Sequence, residues 1–361
     1  MDLQLFDSLT IRGVTARNRI AVSPMCEYSS DDGFANQWHA VHLGSRAVGG
    51  AGIVFTEATA IVPEGRISPA DLGIYRDEHI GKLREITDFI HEQGAVAGIQ
   101  LAHAGFKAST APPWEGGGPV EPSAGGWLPI YAPSPVPFRD GWITPVELTT
   151  DRIVGLTNAF ASATQRAVAA GFRIIELHAA HGYLLHEFLS PLSNHRTDNY
   201  GGTFHNRIRL LCEVATAARK AMPEELALFV RISASDWMPG GWEIGDSVAL
   251  ATVLKALGVD IVDVSSGGIA PNAKIIVGPG YQVPFARQIR HEAGIATGAV
   301  GMITDAWQAD TIIKEDAADL VLLARELLRQ PYWPLLAAHQ LGRDDVPWPR
   351  QYDRAKPPPV V

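Results

Sequence analysis

The sequence is poor in cysteine and in net positive charge, and both shortages exclude classes of protein. Two cysteines, Cys26 and Cys212, occur in 361 residues. They do not indicate a disulfide scaffold, and they cannot supply the four thiolates of an iron–sulfur cluster. A reducing compartment, the cytoplasm, is therefore expected. With a formal net charge of −9, the chain lacks the basic face on which nucleic-acid binding depends.

Long apolar runs and nucleotide-binding fingerprints are also missing. No run approaches the roughly 18 apolar residues of a membrane span. Residues 1–5, MDLQL, carry an acid where a signal peptide carries bases. We therefore expect neither a membrane segment nor a leader. Neither G-x-G-x-x-G nor G-x-x-x-x-G-K-[ST] occurs, so no Rossmann or P-loop site is predicted.

What is present is an alternation of short apolar runs and helical segments. The apolar runs predict eight buried strands, at residues 20–22, 53–56, 95–101, 172–177, 226–232, 261–264, 295–300 and 320–323. Helices are predicted at residues 38–48, 77–93, 151–170, 203–221, 246–257, 283–293 and 304–314. Eight successive strand–helix units predict an α/β fold, a closed (β/α)8 TIM barrel that forms one domain over residues 1–361. A hairpin turning at Gly13 precedes the barrel, and Asp151 is the expected N-cap of its helix.

One segment, residues 107–150, interrupts this alternation. It contains nine prolines between Pro112 and Pro145, which exclude a long helix. Its three tryptophans and Tyr131 favour an ordered lid over a disordered linker, because linkers are poor in aromatic residues. Residues 331–361 are expected to form a tail with a short helix and a proline-rich end.

The predicted strand at residues 172–177 is followed by His178, His181 and Tyr183, in the pattern His-x-x-His-x-Tyr. Ligands of α/β barrels bind at the carboxyl ends of the strands, so two imidazoles and a phenol are delivered to one site. Imidazoles can bind an oxygen that gains negative charge, and a phenol can donate a proton. Three alternatives stay open at this point: a metal site that adds His186 and Glu187, a structural histidine pair, and a packed tyrosine.

Small, polar and cationic residues follow the other predicted strands. They are Cys26, Tyr28, Ala58, Gln100, His103, Arg231, residues 265–268, residues 298–301 and Arg325. Backbone N–H groups around residues 298–301, together with Arg325, suit a phosphate, because barrels often bind phosphate after strands seven and eight. Arg231 or Arg325 can instead form a structural ion pair. A carboxylate-based hydrolase needs paired acids at the strand ends. Apart from Glu57 and Glu176, the residues at those ends are mostly His, Arg and Gly.

Six motifs are spread along the chain: SPMCEY at residues 23–28, HAAHGYLLHEFLSPLSNHRTDNYGG at 178–202, SSGG at 265–268, TGAVGMIT at 297–304, ARELL at 324–328 and QYDR at 351–354. Together they resemble the Old Yellow Enzyme family of NADH:flavin oxidoreductases, most of all its bacterial thermophilic-like branch, that of xenobiotic reductase A. The similarity runs from residue 5 to residue 354. The resemblance implies an FMN-dependent ene-reductase. NADPH or NADH would reduce the flavin, and hydride would pass from flavin N5 to the β-carbon of an activated alkene, with protonation at the α-carbon.

By matching motif positions, the resemblance also implies roles for individual residues. His178 and His181 would bind the carbonyl or nitro oxygen of the alkene, and Tyr183 would donate the proton. Tyr28 would help to place the substrate, and Arg354 would reach the active site of a neighbouring subunit in a homodimer or homotetramer. The implied cofactor-binding residues are Ser23, Pro24, Met25, Cys26, Ala58, Gln100, Arg231, Val300, Gly301, Ala324 and Arg325, the last with Gly301 at the phosphate. No metal is implied.

One departure from the family follows the third strand. The family commonly has HAGRKA where this chain has HAGFKA. Phe106 therefore replaces a cation, which puts any contact of that arginine in doubt, and Lys107 is the candidate substitute. Two rival functions remain beside the ene-reductase. One is another flavin barrel such as a dienoyl-CoA-type reductase, which needs an iron–sulfur cluster. The other is a catalytically idle flavin-binding sensor, which the intact His-x-x-His-x-Tyr pattern disfavours.

Overall fold

The structure is a computed structural model that describes residues 4–358. Its strands are, in chain order, β1 (Leu9–Ile11), β2 (Val14–Ala16), β3 (Ile20–Val22), β4 (Ile53–Ala60), β5 (Val96–Ala102), β6 (Tyr131–Ala132), β7 (Val146–Glu147), β8 (Ile174–Ala179), β9 (Ala227–Ser233), β10 (Ile261–Ser265), β11 (Ala296–Ala299) and β12 (Leu320–Leu323). Its helices are α1 (Gln37–Val48), α2 (His79–Glu92), α3 (Thr150–Ala169), α4 (Leu184–Leu189), α5 (Phe204–Arg207), α6 (Arg209–Ala221), α7 (Ile244–Ala256), α8 (Val283–Ala293), α9 (Ala306–Lys314), α10 (Arg325–Arg329) and α11 (Trp333–Gln340).

Eight parallel strands close into a barrel in the order β3-β4-β5-β8-β9-β10-β11-β12. The predicted (β/α)8 TIM barrel is therefore confirmed. Every residue of β4, β5, β8 and β9 is buried, as expected for strands covered on both faces. The helix predicted at residues 203–221 is divided into α5 and α6 at Ile208. Of the helices within residues 4–358, none combines the length and the apolar composition needed to cross a membrane.

Apolar side chains fill the barrel at its N-terminal end. The rings of Phe55 and Phe229 lie 5.9 Å apart between centroids. Phe55 is paired in register with Gly98, where a Cβ would approach the Phe55 ring to 2.6 Å, so the glycine makes room for the ring. The hairpin of β1 and β2 packs Leu9 and Val14 onto the same cluster. The hairpin therefore closes this end, and polar groups collect at the other.

The segment between β5 and β8 carries the insertion, residues 107–150, which folds into 3-10 turns and the small parallel pair β6–β7. Arg196, in the segment after β8, donates to the carbonyl oxygens of Pro133 (3.2 Å) and Leu148 (2.6 Å). The same guanidinium pairs with Asp198. These bonds attach the insertion to the barrel.

The start of α3 corrects one prediction, because Thr149 and not Asp151 is the N-cap. Thr149 has an extended backbone, and its hydroxyl accepts from the Arg152 N–H at 3.3 Å. Asp151 lies within the first turn, where its carboxylate can interact only with the helix dipole and the free N–H groups. The sequence Thr-Thr-Asp offers three side chains that are able to cap, so the pattern alone could not choose among them.

Replacing Thr149 by alanine is expected to destabilise the protein by about 1 kcal/mol, because the Arg152 N–H loses its acceptor. Asp151→Ala is the matched control, and we expect it to cost no more than about 0.3–1 kcal/mol at this exposed helix end. Thermal unfolding followed by circular dichroism compares the two variants. A larger fall in Tm for Asp151→Ala than for Thr149→Ala would contradict the assignment of the cap.

Candidate active site

The His-x-x-His-x-Tyr stretch leaves β8 at the barrel mouth. The His178 ring lies 5.2 Å from that of His181 and 4.8 Å from that of Tyr183, edge-on in both cases. His181 has a left-handed backbone, with φ of +60°, and its N–H donates to Ser233 Oγ at 2.9 Å. Its ring Nε2 lies 2.7 Å from Ser265 Oγ. The structure thus brings the two imidazoles and the phenol together and fixes His181 from two neighbouring strands.

The surroundings of these three rings set their protonation. Burial, followed by the positive charge of Arg231, lowers the pKa of both His178 and His181 well below the ordinary value. Both imidazoles are therefore neutral at pH 7, and each offers one N–H donor. Nδ1 of His178 faces the Ala180 N–H at 3.4 Å, which leaves its Nε2 as the protonated nitrogen. Burial raises the pKa of Tyr183 well above its ordinary value, so the phenol keeps its proton.

Arg231 on β9 brings a buried guanidinium to the same place. It is paired in register with His178, and its Nη1 donates to Ser23 Oγ at 2.9 Å. Its Nε lies 3.2 Å from Asp263 Oδ2, so the alternative of an ion pair is realised. Within residues 4–358 the Nε–H nevertheless has no hydrogen-bond acceptor. Asp263 was not among the predicted residues, because its importance lies in its contact with Arg231 and not in a local pattern.

The acids that a carboxylate-based hydrolase would use have other partners. Glu176 accepts a hydrogen bond from Gln100 Nε2 at 2.8 Å inside the barrel, and burial together with the Asp263 charge raises the pKa of Glu176. Glu57 lies 3.1 Å from His39 Nε2. The two carboxyl groups are therefore not paired across the mouth, and the structure offers no support for the hydrolase.

The wall of the site around Tyr183 is largely apolar. Cys26, Tyr28, Ala58 and Tyr183 pack in one cluster with residues of β5 and of the insertion. The ring of Trp114, in the insertion, meets Tyr28 edge-on at 5.6 Å. Desolvation raises the pKa of the Cys26 thiol, so Cys26 is present as a neutral thiol. Pro24 and Met25 connect this wall to the end of β3.

A cavity of about 300 Å³ lies beyond the ends of β11 and β12. The predicted residues Val300, Gly301, Ala324 and Arg325 line it. Gly301 has φ of +124°, and a Cβ there would come within 3.0 Å of Gln282 Nε2, so only glycine keeps this backbone accessible. In the described part of the chain Arg325 makes neither an ion pair nor a hydrogen bond. A cradle of free backbone beside an unpartnered guanidinium suits a phosphate.

Two further residues line this cavity and were not predicted, Tyr281 and Gln282. Gln282 accepts from Ser266 Oγ at 2.6 Å and donates to the Val300 carbonyl at 3.2 Å, so it joins the loops after β10 and β11. Both residues precede α8 rather than follow a strand. A search confined to strand ends could not find them.

Residues near the site that were candidates for a metal have other partners. His186 Nε2 lies 2.9 Å from Asp236 Oδ1, and its Nδ1 accepts from the Gly182 N–H at 2.8 Å. Glu187 accepts from the Phe106 N–H at 2.9 Å. Across residues 4–358, no group of three or more His, Cys, Asp or Glu side chains is arranged to hold a metal ion.

Two predicted residues lie apart from this centre. The ring of Phe106 is buried against Phe138 of the insertion, 5.3 Å between centroids, so apolar packing occupies the place of the arginine that the family commonly has. Arg354 is exposed in the 3-10 turn Arg350–Ala355 and makes no hydrogen bond or ion pair in the part of the chain that is described.

The whole barrel, and not only its mouth, is similar to flavin oxidoreductases. The family profile described as NADH:flavin oxidoreductase / NADH oxidase family matches residues 4–344. An NADPH dehydrogenase of Geobacillus sp. (strain WCH70) is 52% identical over 344 residues, which span 95% of this chain and 96% of that protein. The solved structure of morphinone reductase gives a TM-score of 0.79 at 25% identity, over 95% of this chain and 90% of that one. A morphinone reductase variant in complex with tetrahydroNAD gives 0.78 at 25% identity, over 95% and 92%.

The lowered pKa of His178 and His181 predicts a loss of stability on the acid side. Below about pH 6.5 the two imidazoles become protonated in the unfolded chain but stay neutral in the folded protein. The free energy of unfolding should therefore fall as the pH drops below that value, by up to about 1.4 kcal/mol per pH unit for each histidine. Above pH 6.5 the two imidazoles are neutral in both the folded and the unfolded state, so this loss of stability does not occur.

Urea unfolding between pH 7.5 and pH 5 measures this slope, with the double variant His178→Asn, His181→Asn as the comparison that cancels all other titrating groups. The variant should show the shallower dependence. Equal slopes for the two proteins would mean that the two imidazoles take up protons as readily in the folded protein as in the unfolded chain.

Proposed function

The chain belongs to the NADH:flavin oxidoreductase / NADH oxidase family, and we propose that within this family it is an ene-reductase acting on activated alkenes. The resemblance to the Old Yellow Enzyme family is thereby confirmed, and the protein is an NAD(P)H-dependent oxidoreductase with FMN as its cofactor. The observation that carries the finer proposal is the meeting of two neutral imidazoles and one phenol at a single strand end. Activated alkenes here are α,β-unsaturated carbonyl compounds and nitroalkenes.

The residues at the mouth fit a flavin. The Arg231 Nε–H is buried without an acceptor, and a flavin ring presents carbonyl oxygens and ring nitrogens that accept. The cavity at Gly301 and Arg325 suits the phosphate of FMN. We assign the binding of the flavin ring to Ser23, Pro24, Met25, Cys26, Ala58, Gln100 and Arg231. We assign the binding of the FMN phosphate to Val300, Gly301, Ala324 and Arg325. Bound FMN would carry the hydride from NADPH or NADH to the alkene.

His178 and His181 act on the substrate oxygen. Negative charge develops on the carbonyl or nitro oxygen as the β-carbon gains a hydride, and two fixed N–H donors stabilise that charge. One such donor is typically worth about 3–4 kcal/mol in the transition state. Because both rings are neutral, neither can protonate the oxygen outright. The two imidazoles therefore stabilise the charged oxygen by hydrogen bonds and do not convert it into an enol hydroxyl.

Tyr183 holds the proton that the α-carbon requires. The raised pKa of its phenol keeps the group protonated until charge has developed on the substrate. Tyr28, which packs in the same cluster, helps to orient the alkene on that side. The histidines and the tyrosine therefore have separate tasks, one at the oxygen and one at the α-carbon.

We also propose a cytoplasmic homodimer or homotetramer in which Arg354 enters the site of a neighbouring subunit. The exposure of Arg354 in a terminal turn without a partner of its own supports this role. The exposed apolar side chains Trp38 and Val41 on α1 suit an interface between subunits. Both cysteines are free, which agrees with a reducing compartment.

A visible spectrum and anaerobic stopped-flow kinetics test the function. We expect a yellow protein that NADPH bleaches and 2-cyclohexenone recolours. A protein that takes up no FMN would overturn the assignment of the cofactor site. Bleaching by NADPH without reoxidation by the enone or by a nitroalkene would favour the idle flavin-binding sensor.

Tyr183→Phe tests the role of the phenol, because loss of the proton donor should slow reoxidation by the enone roughly 10²- to 10⁴-fold. Flavin reduction by NADPH, which needs no such proton, should change little, and equal slowing of both steps would refute the role of Tyr183.

Complementation between subunits tests Arg354. Arg354→Ala and Tyr183→Phe should each impair alkene reduction when purified alone. Co-expressed subunits should regain part of the activity, since a Tyr183→Phe subunit can supply Arg354 to a site that retains Tyr183. Analytical ultracentrifugation of the mixture verifies that mixed oligomers form. Mixed oligomers without restored activity would show that Arg354 does not cross to a neighbour.

A further inference from the structure

Lys107, the first residue of the insertion, lies between two loops that form one side of the barrel mouth. Its Nζ donates to the carbonyl oxygen of His181 at 2.8 Å and to that of Gly268 at 2.6 Å. One carbonyl belongs to the loop after β8 and the other to the loop after β10. A single ammonium therefore joins the loop that carries the active-site histidine and tyrosine to a loop two strands further around the barrel.

The two loops touch each other where Lys107 joins them. A Cβ at Gly268 would lie 2.5 Å from His181 Cα, and a Cβ at Gly182 would lie 2.3 Å from the Gly268 carbonyl oxygen. Both glycines have positive φ, +96° and +71°. Backbones packed this closely bring carbonyl dipoles near one another, and a shared cation offsets their repulsion.

The same ammonium faces two aromatic rings. Its Nζ lies 4.2 Å from the ring centroid of Phe138, in the insertion, and 5.6 Å from that of Tyr183. Cations are attracted to ring faces at these distances. The insertion and the phenol are therefore both held against the point where the loops meet.

We propose that Lys107 is a positioning residue of the active site, which clasps the loop of His181 and Tyr183 to the loop after β10 and fastens the insertion over both. His181 needs such support because its backbone is left-handed, a conformation that persists in a non-glycine residue only when its surroundings hold it. Ser233 binds its N–H and Ser265 its ring, and Lys107 binds the remaining polar group, its carbonyl. The consequences of the clasp for kinetics rest on the proposed function, whereas its consequences for backbone mobility do not.

The charge of Lys107 has its own pH dependence. Burial, opposed by the Glu187 charge and reinforced by that of Arg139, lowers the pKa of Lys107 to about 8. The clasp therefore carries its charge at pH 7 and loses it as the pH rises through about 8. The titratable groups that face the ammonium are Glu187, Arg139, His178, His181 and Tyr183.

Lys107→Met removes the ammonium and leaves an unbranched, flexible side chain that is one atom shorter. The matched control is Lys255→Met, because Lys255 also donates to a backbone carbonyl, that of Gly294, but does so on the outer surface. Hydrogen exchange read by mass spectrometry is the first measurement. Amides in residues 181–184 and 266–269 should exchange roughly 10-fold faster or more in Lys107→Met, as expected for the loss of a charge-assisted bond. Lys255→Met should leave both segments unchanged.

Reoxidation of the reduced holoenzyme is the second measurement. With an alkene as oxidant, Lys107→Met should be slower by on the order of 100-fold, the penalty of a displaced catalytic group. With dioxygen, which needs neither histidine nor tyrosine, the rate should stay the same. The wild-type alkene rate should decline above pH 8, and that decline should be absent from the variant.

The outcomes separate the two proposals. If the wild type reduces no alkene, the proposed function fails, and the exchange data still decide whether Lys107 is a clasp. Unchanged exchange in Lys107→Met overturns the clasp whatever the kinetics show. If Lys107→Met does not fold, Lys107→Gln takes its place, since its shorter neutral amide can reach one carbonyl at most. If the amides of Lys107→Gln exchange at the same rates as those of the wild type, the clasp is also overturned.

Discussion

A guanidinium buried at the barrel mouth is the constraint on which the rest of the site depends. A buried charge persists only with partners around it, and Arg231 finds Ser23 beyond β3 and Asp263 on β10. His178 lies beside Arg231 in the register of β8 and β9. Burial and this nearby cation both oppose protonation of the imidazole. Arg231 thus joins β9 to β10 through an ion pair and to the end of β3 through a hydrogen bond, and its charge helps to keep the neighbouring His178 neutral.

The acidic groups near Arg231 keep that arrangement in balance. One guanidinium, Arg231, lies near two carboxyl groups, Glu176 and Asp263, so full ionisation would leave an excess negative charge in the barrel. Burial raises the pKa of Glu176, and its neighbour Asp263 raises it further. The proton on Glu176 leaves one carboxylate for one guanidinium, and Gln100 satisfies the Glu176 carboxyl by hydrogen bonding. The charges of Arg231, Asp263 and Glu176 therefore cancel at neutral pH, and no excess negative charge remains at this end of the barrel.

Features that lie within one segment of the chain were predicted from the sequence, whereas contacts between distant segments were not. Apolar runs located all eight barrel strands, but β4 extends to Ala60 rather than stopping at residue 56, because its polar end faces the buried mouth and looks like a loop in the sequence. The histidines and Tyr183 were found because one strand end carries all three. Asp263 and Gln282 were missed because their importance lies in contacts with distant segments. Whether two strand ends are neighbours depends on barrel closure, which no short pattern encodes.

The exchange of a cation for a ring at position 106 has a structural counterpart in the insertion. A buried arginine would need an acceptor, whereas Phe106 needs only apolar surface, which Phe138 and Ile269 provide. Phe138 belongs to the insertion and Ile269 to the loop after β10. Phe106 therefore packs on the same two segments that Lys107 joins by its charge. Adjacent residues therefore connect the insertion to the loops of the barrel mouth in two independent ways, Phe106 by apolar packing and Lys107 by its charge.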